Sequence, residues 1–200
     1  MNTEPKPEKK STKQQIVERL KNSQNILIVS HVNPDGDSLG SSLGLWQTLK
    51  KLGKNVSAAA SGHRNPHHNY LPQLDQIKPE ISGNREFVIT LNTTNTTGPH
   101  KVKYKTEDQK IHLIITPDQG QFSPQDLSVT EGQPKFDLIV TLDTPNLEYL
   151  DKIYEQNSDI FHQIPIINID HHPDNQNYGE INYIDTNSSS TCEIIISIIE

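Results

Sequence analysis

The sequence is poor in cysteine and aromatic residues and has no long apolar run, and these shortages exclude several classes of protein. The single cysteine, Cys192, cannot form an intramolecular disulfide, so a disulfide-stapled secreted scaffold is excluded and a reducing compartment is favoured. No apolar run approaches the roughly 20 residues that span a bilayer, and residues 1–15 contain no apolar segment typical of a secretory signal. We therefore expect a cytoplasmic protein without membrane contact.

The sequence also lacks an excess of positive charge. It has 18 Lys and Arg residues against 25 Asp and Glu residues, a formal net charge of −7, and no basic block. Affinity for a long duplex comes from neutralising its phosphates, so binding of long duplexes is not expected. A small phosphorylated substrate remains compatible with this charge, because bound divalent cations would supply positive charge locally.

What is present is α/β patterning over residues 11–200, after a charged, proline-containing tail at 1–10 that is typical of disorder. The sequence predicts a helix at residues 12–22 from a capping-box pattern and a strand at 25–30 from a continuous β-branched run. It then predicts a helix with an apolar face at 39–49, ended by Gly53, and a strand at 55–60. This succession predicts a right-handed βαβ unit and a Rossmann-like, mostly parallel sheet flanked by helices.

The middle of the chain departs from this pattern. Residues 100–106 and 110–117 alternate apolar with polar across a short polar turn, which predicts an antiparallel β-hairpin within an element inserted at about 84–117. Its lysines, Lys101, Lys103 and Lys105, would share one face, where they protect an exposed edge or, alternatively, form a lid or a partner surface. Beyond the insertion we predict a loop at residues 121–134. Strands at 136–143 and 164–170 then alternate with helices at 147–157 and 190–200.

Three of the predicted buried strands end in potential metal ligands. The first is followed by His31, Asp35 and Asp37, the second ends in Asp143, and the third ends in Asp170, His171 and His172. If the strands are parallel, their carboxyl ends lie along one edge of the sheet, where open α/β folds bind ligands. Carboxylate oxygens combined with imidazole nitrogens suit a divalent transition ion, and manganese fits better than calcium.

Each strand end also has a simpler interpretation when it is taken alone. The residues of Asn33–Gly36 are typical of a turn. Asp37 could cap the following helix, and Asp143 could be a turn residue. Adjacent histidines beside Asp170 are harder to explain by packing. The three occurring together favour a shared metal site.

The same segments resemble the successive motifs of the DHH phosphoesterase family, which includes RecJ-like exonucleases, oligoribonucleases that also dephosphorylate phosphoadenosine phosphate, cyclic-dinucleotide phosphodiesterases and manganese pyrophosphatases. The resemblance extends over about residues 24–195, the inserted hairpin excepted. It is carried by three segments of the sequence, SHVNPDGDSLGSSLGL, LIVTLDTPN and NIDHHPDNQNYG.

The resemblance implies a site for two Mn²⁺ ions, with Mg²⁺ as a possible substitute. His31 and Asp35 would hold one ion, Asp37 and His171 the other, and Asp143 would bridge the two. Asp170 would orient its neighbours without binding metal, and His172 would face the substrate phosphate. Phosphoester hydrolysis would then proceed by metal-activated water, which leaves Cys192 without a catalytic role.

A polar loop at 62–68 follows the second predicted strand and could reach the same edge. His63 and Arg64 are therefore candidate contacts to substrate phosphate, although a solvated loop with incidental histidines is the favoured explanation. The family's further aspartate ligand and its C-terminal substrate-binding domain are not found in the chain, and we expect both beyond residue 200. Asp185 is a poor candidate for that ligand.

The function expected is hydrolysis of phosphoester bonds in a small nucleotide or short oligonucleotide. Three alternatives remain open at this point: a catalytically silent metal- or nucleotide-binding regulatory domain, a pyrophosphatase-type phosphoanhydride hydrolase, and a protein-interaction module centred on the hairpin. The sequence does not indicate the oligomeric state.

Overall fold

The computed structural model describes residues 10–82 and 85–200, so the tail predicted at 1–10 lies outside the described residues except for Lys10. Residues 85–133 form a compact unit of their own, and the other described residues form a second unit. Within the described ranges, no helix is long and apolar enough to cross a membrane.

The secondary structure comprises five α-helices and twelve strands in the described ranges. The helices are α1 Thr12–Asn22, α2 Gly36–Lys51, α3 Lys152–Glu155, α4 Ser158–Gln163 and α5 Thr191–Ile199. The first six strands are β1 Asn25–Ser30, β2 Asn55–Ala59, β3 Ile77–Lys78, β4 Arg85–Leu91, β5 Thr96–Thr97 and β6 Lys101–Glu107. The other six are β7 Lys110–Thr116, β8 Gln119–Gly120, β9 Leu127–Pro134, β10 Leu138–Leu142, β11 Ile166–Asp170 and β12 Ile181–Ile184.

The larger unit is built on a six-stranded sheet in the order β12-β11-β10-β1-β2-β3. All neighbouring strands are parallel, which confirms the predicted Rossmann-like sheet. Ser30 pairs with Leu142, and Leu142 pairs with Ile169, so β1, β10 and β11 end at the same level. The residues that follow these three strands therefore start from one edge of the sheet.

Alternate side chains of each strand point to opposite sides of the sheet, and in β1 the side chains on both sides are apolar. Helices therefore cover both faces. Ile26 and Ile28 of β1 pack into a core with α1, α2 and α5. Leu27 and Val29 pack into a second core with α3 and α4. All four side chains have no exposed surface, so the central strand is a fixed base for the loop that follows it.

Several elements differ from the sequence prediction. The helix expected at 147–157 is divided into a 3₁₀ turn, Leu147–Leu150, and α3, because Asp151 adopts a left-handed conformation with φ 53°. The strand β9 occupies most of the loop predicted at 121–134, where it pairs with β4. The short strands β3 and β12 were not predicted, since they have only two and four residues and β12 has no buried apolar run to mark it.

In the smaller unit, β6 and β7 form the antiparallel hairpin predicted from the alternating pattern, with Lys103 opposite Ile114 and Tyr104 opposite Leu113. Lysines alternate with apolar residues along β6, so the hairpin has one lysine-bearing face and one apolar face. The pairs β4–β9 and β5–β8 complete the sheets of this unit.

Two glycines one turn apart on α2 face α5. A Cβ atom on Gly40 would lie 2.8 Å from Sγ of Cys192, whereas one on Gly44 would come no closer than 4.0 Å to Ile195. Gly40 thus permits the close approach of the two helices, and Gly44 leaves ordinary space.

We predict that Gly40→Ala lowers the free energy of unfolding, because the cost of the clash, about 1–3 kcal/mol, exceeds the gain in helix propensity. Urea unfolding would measure the change. In a Cys192→Ala background the same substitution should instead stabilise by up to about 1 kcal/mol, as should Gly44→Ala in the unmodified chain. Stabilisation by Gly40→Ala alone would contradict this packing.

Candidate metal centre

The loop after β1 is held in place by its backbone contacts. His31 directly follows the strand, and the N–H of Val32 donates to the carbonyl of Tyr149. Asn33 adopts a left-handed conformation, its N–H donates to the carbonyl of Ser61, and its Oδ1 accepts from the N–H of His63. These bonds tie the loop to the segments that follow β2 and β10.

Asp35, rather than Asp37, is the N-cap of α2. Its Oδ1 accepts from the N–H groups of Asp37 and Ser38 and from Oγ of Ser38. Although burial alone would raise the pKa of Asp35, these hydrogen bonds and the nearby His31 lower it. Asp35 is therefore an ionised carboxylate fixed at the start of the helix.

Asp37 is bound instead by the first turn of α5. Its Oδ2 accepts from the N–H of Thr191 and its Oδ1 from the N–H of Cys192, each at 2.7 Å. The N–H groups at a helix N-terminus are suited to a carboxylate acceptor, so α5 fixes the position of the Asp37 side chain. The contact joins α2 and α5 directly beneath the site.

Asp143 is the central acid of the site. It follows β10 with φ 54°, a left-handed conformation that Asp tolerates better than most residues, and its N–H donates to the carbonyl of Ile169. Its side chain is only 2% exposed, and its Oδ1 accepts from Oγ1 of Thr191 at 3.1 Å. The strand end thus holds a buried carboxylate between its neighbours.

Asp170 orders the turn that follows β11. Its Oδ1 accepts from the N–H of His171 and from Nδ1 of His172, at 2.7 and 2.8 Å. Because a carboxylate only accepts, Nδ1 of His172 carries the proton. Burial would lower the pKa of His172, but this hydrogen bond and the charges of Asp170, Asp143 and Asp174 raise it.

The other oxygen of Asp170 is bound by a buried amide. Asn175 donates from Nδ2 to Oδ2 of Asp170 at 2.7 Å and to the carbonyl of Thr144 at 3.2 Å. Its Oδ1 accepts from Nδ2 of Asn168 and from the N–H of Asn177. The side chain thus connects the end of β11 to the residue after Asp143.

The potential ligand atoms converge on Asp143. Nε2 of His31 lies 3.6 Å from Oδ2 of Asp143 and 3.8 Å from Oδ1 of Asp35. Nε2 of His171 lies 3.6 Å from Oδ1 of Asp143 and 3.7 Å from Oδ2 of Asp37. These separations are too long for hydrogen bonds, and they are typical of atoms that share a metal ion. Asp143 belongs to both groups.

The donor set fits divalent metal. Nδ1 of His31 lies 2.8 Å from the carbonyl of Val32, which can only accept, so the neutral ring presents an unprotonated Nε2 toward the carboxylates. Burial would lower the pKa of His31, yet the adjacent carboxylate of Asp143, the carbonyl of Val32 and the charge of Asp35 raise it. Among the described residues, the ion-pair partners of Asp35, Asp37 and Asp143 are histidines alone. A cation would balance this negative charge.

The cluster opens into a cavity of about 520 Å³. The cavity contains six of the predicted site residues, while Asp170 is fully buried behind it. His63 and Arg64 are not among the lining residues, and the guanidinium of Arg64 donates to the carbonyls of Leu74 and Ile77. The lining residues are His31, Asp35, Asp37, Asp143, Pro145, Tyr149, His171, His172, Asp174, Ser189 and Ser190.

Comparison with known proteins agrees with this architecture. A family model described as the DHH family, N-terminal domain, matches residues 25–200. The chain belongs to the DHH family. The match covers all three ligand-bearing strand ends of this DHH chain as well as the inserted unit.

Two curated relatives carry closely related names. The chain is 25% identical over 180 residues to a probable bifunctional oligoribonuclease and PAP phosphatase NrnA of Streptococcus mutans, covering 90% of the chain and 40% of that protein. It is 41% identical over 56 residues to the bifunctional oligoribonuclease and PAP phosphatase NrnA of Thermus thermophilus, covering 28% of the chain and 17% of that protein. The DHH chain thus spans less than half of these relatives' length.

A solved structure shows the same fold. The crystal structure of an exopolyphosphatase-related protein from Bacteroides fragilis superposes with a TM-score of 0.61 at 20% identity. The match covers 94% of the DHH chain and 42% of that protein.

Sequence reasoning missed several residues that shape the DHH site. The first turn of α5, with Thr191 and Cys192, was predicted as a helix start but not as the anchor of Asp37. Asn175 was not identified, although an amide five residues after Asp170 in a turn is a signal for a local hydrogen bond. Cys192 lies beside Asp37, and burial together with that carboxylate raises the pKa of its thiol to about 12.

Proposed function

We propose that the chain is the metal-binding part of a manganese-dependent phosphoesterase that hydrolyses small nucleotides or short oligonucleotides. The observation that carries the proposal is the convergence of two imidazole Nε2 atoms on Asp143, each with one further carboxylate beside it, without a lysine or arginine partner among the described residues. The names of the NrnA relatives support the substrate class. Carboxylate and imidazole donors suit Mn²⁺, and Mg²⁺ is a possible substitute.

The proposed roles follow the grouping of the side chains. His31 and Asp35 would hold one ion, Asp37 and His171 would hold a second, and Asp143 would serve both. Asp170 orients the turn that carries the two histidines, and a protonated His172 contacts the substrate phosphate. When bound, such ions lower the pKa of a coordinated water and neutralise negative charge on the phosphoryl group.

Among the side chains of the site, His172 is the one that would position the substrate phosphate. His172 is 42% exposed while its Nδ1 proton is committed to Asp170, so its Nε2 is the atom available to a phosphate. The fixed orientation of the ring means that no rearrangement is needed when negative charge develops on the phosphate. A cytoplasmic location, suggested by the single cysteine, completes the proposal.

The experiment that tests this function is a hydrolysis screen of the complete protein. We expect release of mononucleotides from short oligoribonucleotides, or of phosphate from phosphoadenosine phosphate, with Mn²⁺ and not after treatment with EDTA. Cyclic dinucleotides and pyrophosphate in the same screen define the substrate range. Binding of Mn²⁺ with no hydrolysis of any substrate would favour a regulatory domain instead.

A further inference from the structure

One wall of the cavity has no role in the metal site. Nine of the eleven lining residues are acidic, histidine or serine side chains, and the other two are Pro145 and Tyr149. Both belong to the segment that leads from Asp143 into the 3₁₀ turn Leu147–Leu150. The apolar part of the lining therefore comes from one short stretch next to the central acid.

The backbone holds Tyr149 firmly at this place. Its N–H donates to Oδ1 of Asn146 at 3.2 Å, and its carbonyl accepts from the N–H of Val32 at 2.8 Å. The next residue, Leu150, is fully buried in the core. Tyr149 is nevertheless 51% exposed although its backbone is fixed. A large apolar side chain held at a cavity in this way is available to a ligand.

We propose that Tyr149, with Pro145 beside it, forms a stacking subsite for a nucleobase of the substrate. The inference rests on the proposed function, which places the phosphate at His172 beside the metal centre and the attached nucleoside within the same cavity. Every base has a π-face that stacks on an aromatic ring, so the subsite selects for a nucleoside without selecting one base.

The charge of the lining favours a nucleoside over a polyphosphate chain. The described lining contains four aspartates and no lysine or arginine. Successive phosphates beyond the one at the metal centre would meet carboxylates such as Asp174 and no fixed cation. A neutral base meets no such penalty, and its face gains contact with the ring of Tyr149.

Equilibrium binding of two ligands that differ only by the base tests the subsite. Adenosine 5′-monophosphate and ribose 5-phosphate would be titrated by calorimetry into the complete protein with Mn²⁺. We expect the nucleotide to bind roughly 10- to 100-fold more tightly than the sugar phosphate, as a stacked base requires. Tyr149→Ala should abolish this preference and leave the affinity for ribose 5-phosphate unchanged, whereas Tyr149→Phe should retain the preference.

Tyr70→Ala is the matched control, because Tyr70 is 78% exposed and does not line the cavity. Equal affinities for the two ligands in the unmodified protein, or a preference that survives Tyr149→Ala, would overturn the subsite. Oligoribonucleotide hydrolysis by the same samples separates the two proposals. If the protein prefers the nucleotide but hydrolyses no oligoribonucleotide in any condition, the subsite is supported and the phosphoesterase proposal is wrong. If it hydrolyses oligoribonucleotides without preferring the nucleotide, the phosphoesterase proposal is supported and the subsite is wrong.

Discussion

Replacement of Asp143 by asparagine is expected to abolish metal-dependent hydrolysis while leaving the metal-free protein folded. The carboxylate lies within 3.6 Å of Nε2 in both His31 and His171, so its loss removes a donor from both proposed ion sites. Metal ions contribute several kcal/mol of transition-state stabilisation, and we expect turnover to fall by roughly 10³-fold or more.

The stability of the same variant gives a second, independent measurement. Asp143 is buried close to other carboxylates and has no lysine or arginine partner among the described residues, so neutralising it relieves repulsion in the absence of metal. We expect an unchanged or higher Tm without metal. Saturating Mn²⁺, at about 100 times Kd, should stabilise the unmodified protein by about 2.7 kcal/mol and the variant by much less.

A structural role alone would produce the opposite signs, with a lower Tm in the absence of metal and a preserved response to Mn²⁺. Asp75→Asn is the control, because Asp75 is an exposed residue of a 3₁₀ turn that does not line the cavity. It should change neither turnover nor the metal-dependent shift in Tm. Residual turnover of Asp143→Asn close to that of the unmodified protein would count directly against the bridging role.

The strand ends could be predicted from the sequence because two local signals coincide there. Continuous apolar β-branched runs mark buried parallel strands, and His31, Asp143 and Asp170 each stand where a run stops. Parallel pairing then leaves little freedom in where those residues lie. The positions of the site residues therefore follow from secondary structure and fold class alone.

The supporting contacts could not be predicted in the same way, because they depend on pairs of residues distant in sequence. Asp37 and Thr191 are 154 positions apart, and only the packing of α2 against α5 shows that the carboxylate is seated on a helix N-terminus. Arg64 illustrates the reverse case. From the sequence it was only a candidate contact to phosphate near the right strand end, and in the structure its guanidinium donates to the carbonyls of Leu74 and Ile77.

Asn175→Ala is expected to weaken both the fold and the metal site, since this amide donates to a buried carboxylate oxygen, Oδ2 of Asp170. Its removal leaves Oδ2 of Asp170 and the carbonyl of Thr144 without this donor, and Asp170 has no exposed surface through which water could replace it. Loss of a partner to a buried charge costs about 2–4 kcal/mol of stability, which urea unfolding would detect.

The effect on metal follows from the geometry of the turn. Asp170 fixes the N–H of His171 and the ring of His172, so a displaced carboxylate allows both histidines to shift relative to Asp143. Loss of such outer contacts typically lowers metal affinity by about 10- to 100-fold, and calorimetric titration with Mn²⁺ would measure the change. Asn69→Ala, at an exposed position outside the cavity, should alter neither quantity. If Asn175→Ala loses stability but keeps its affinity for Mn²⁺, the amide serves the fold alone, and the two histidines must then be positioned by the strand end rather than by Asp170.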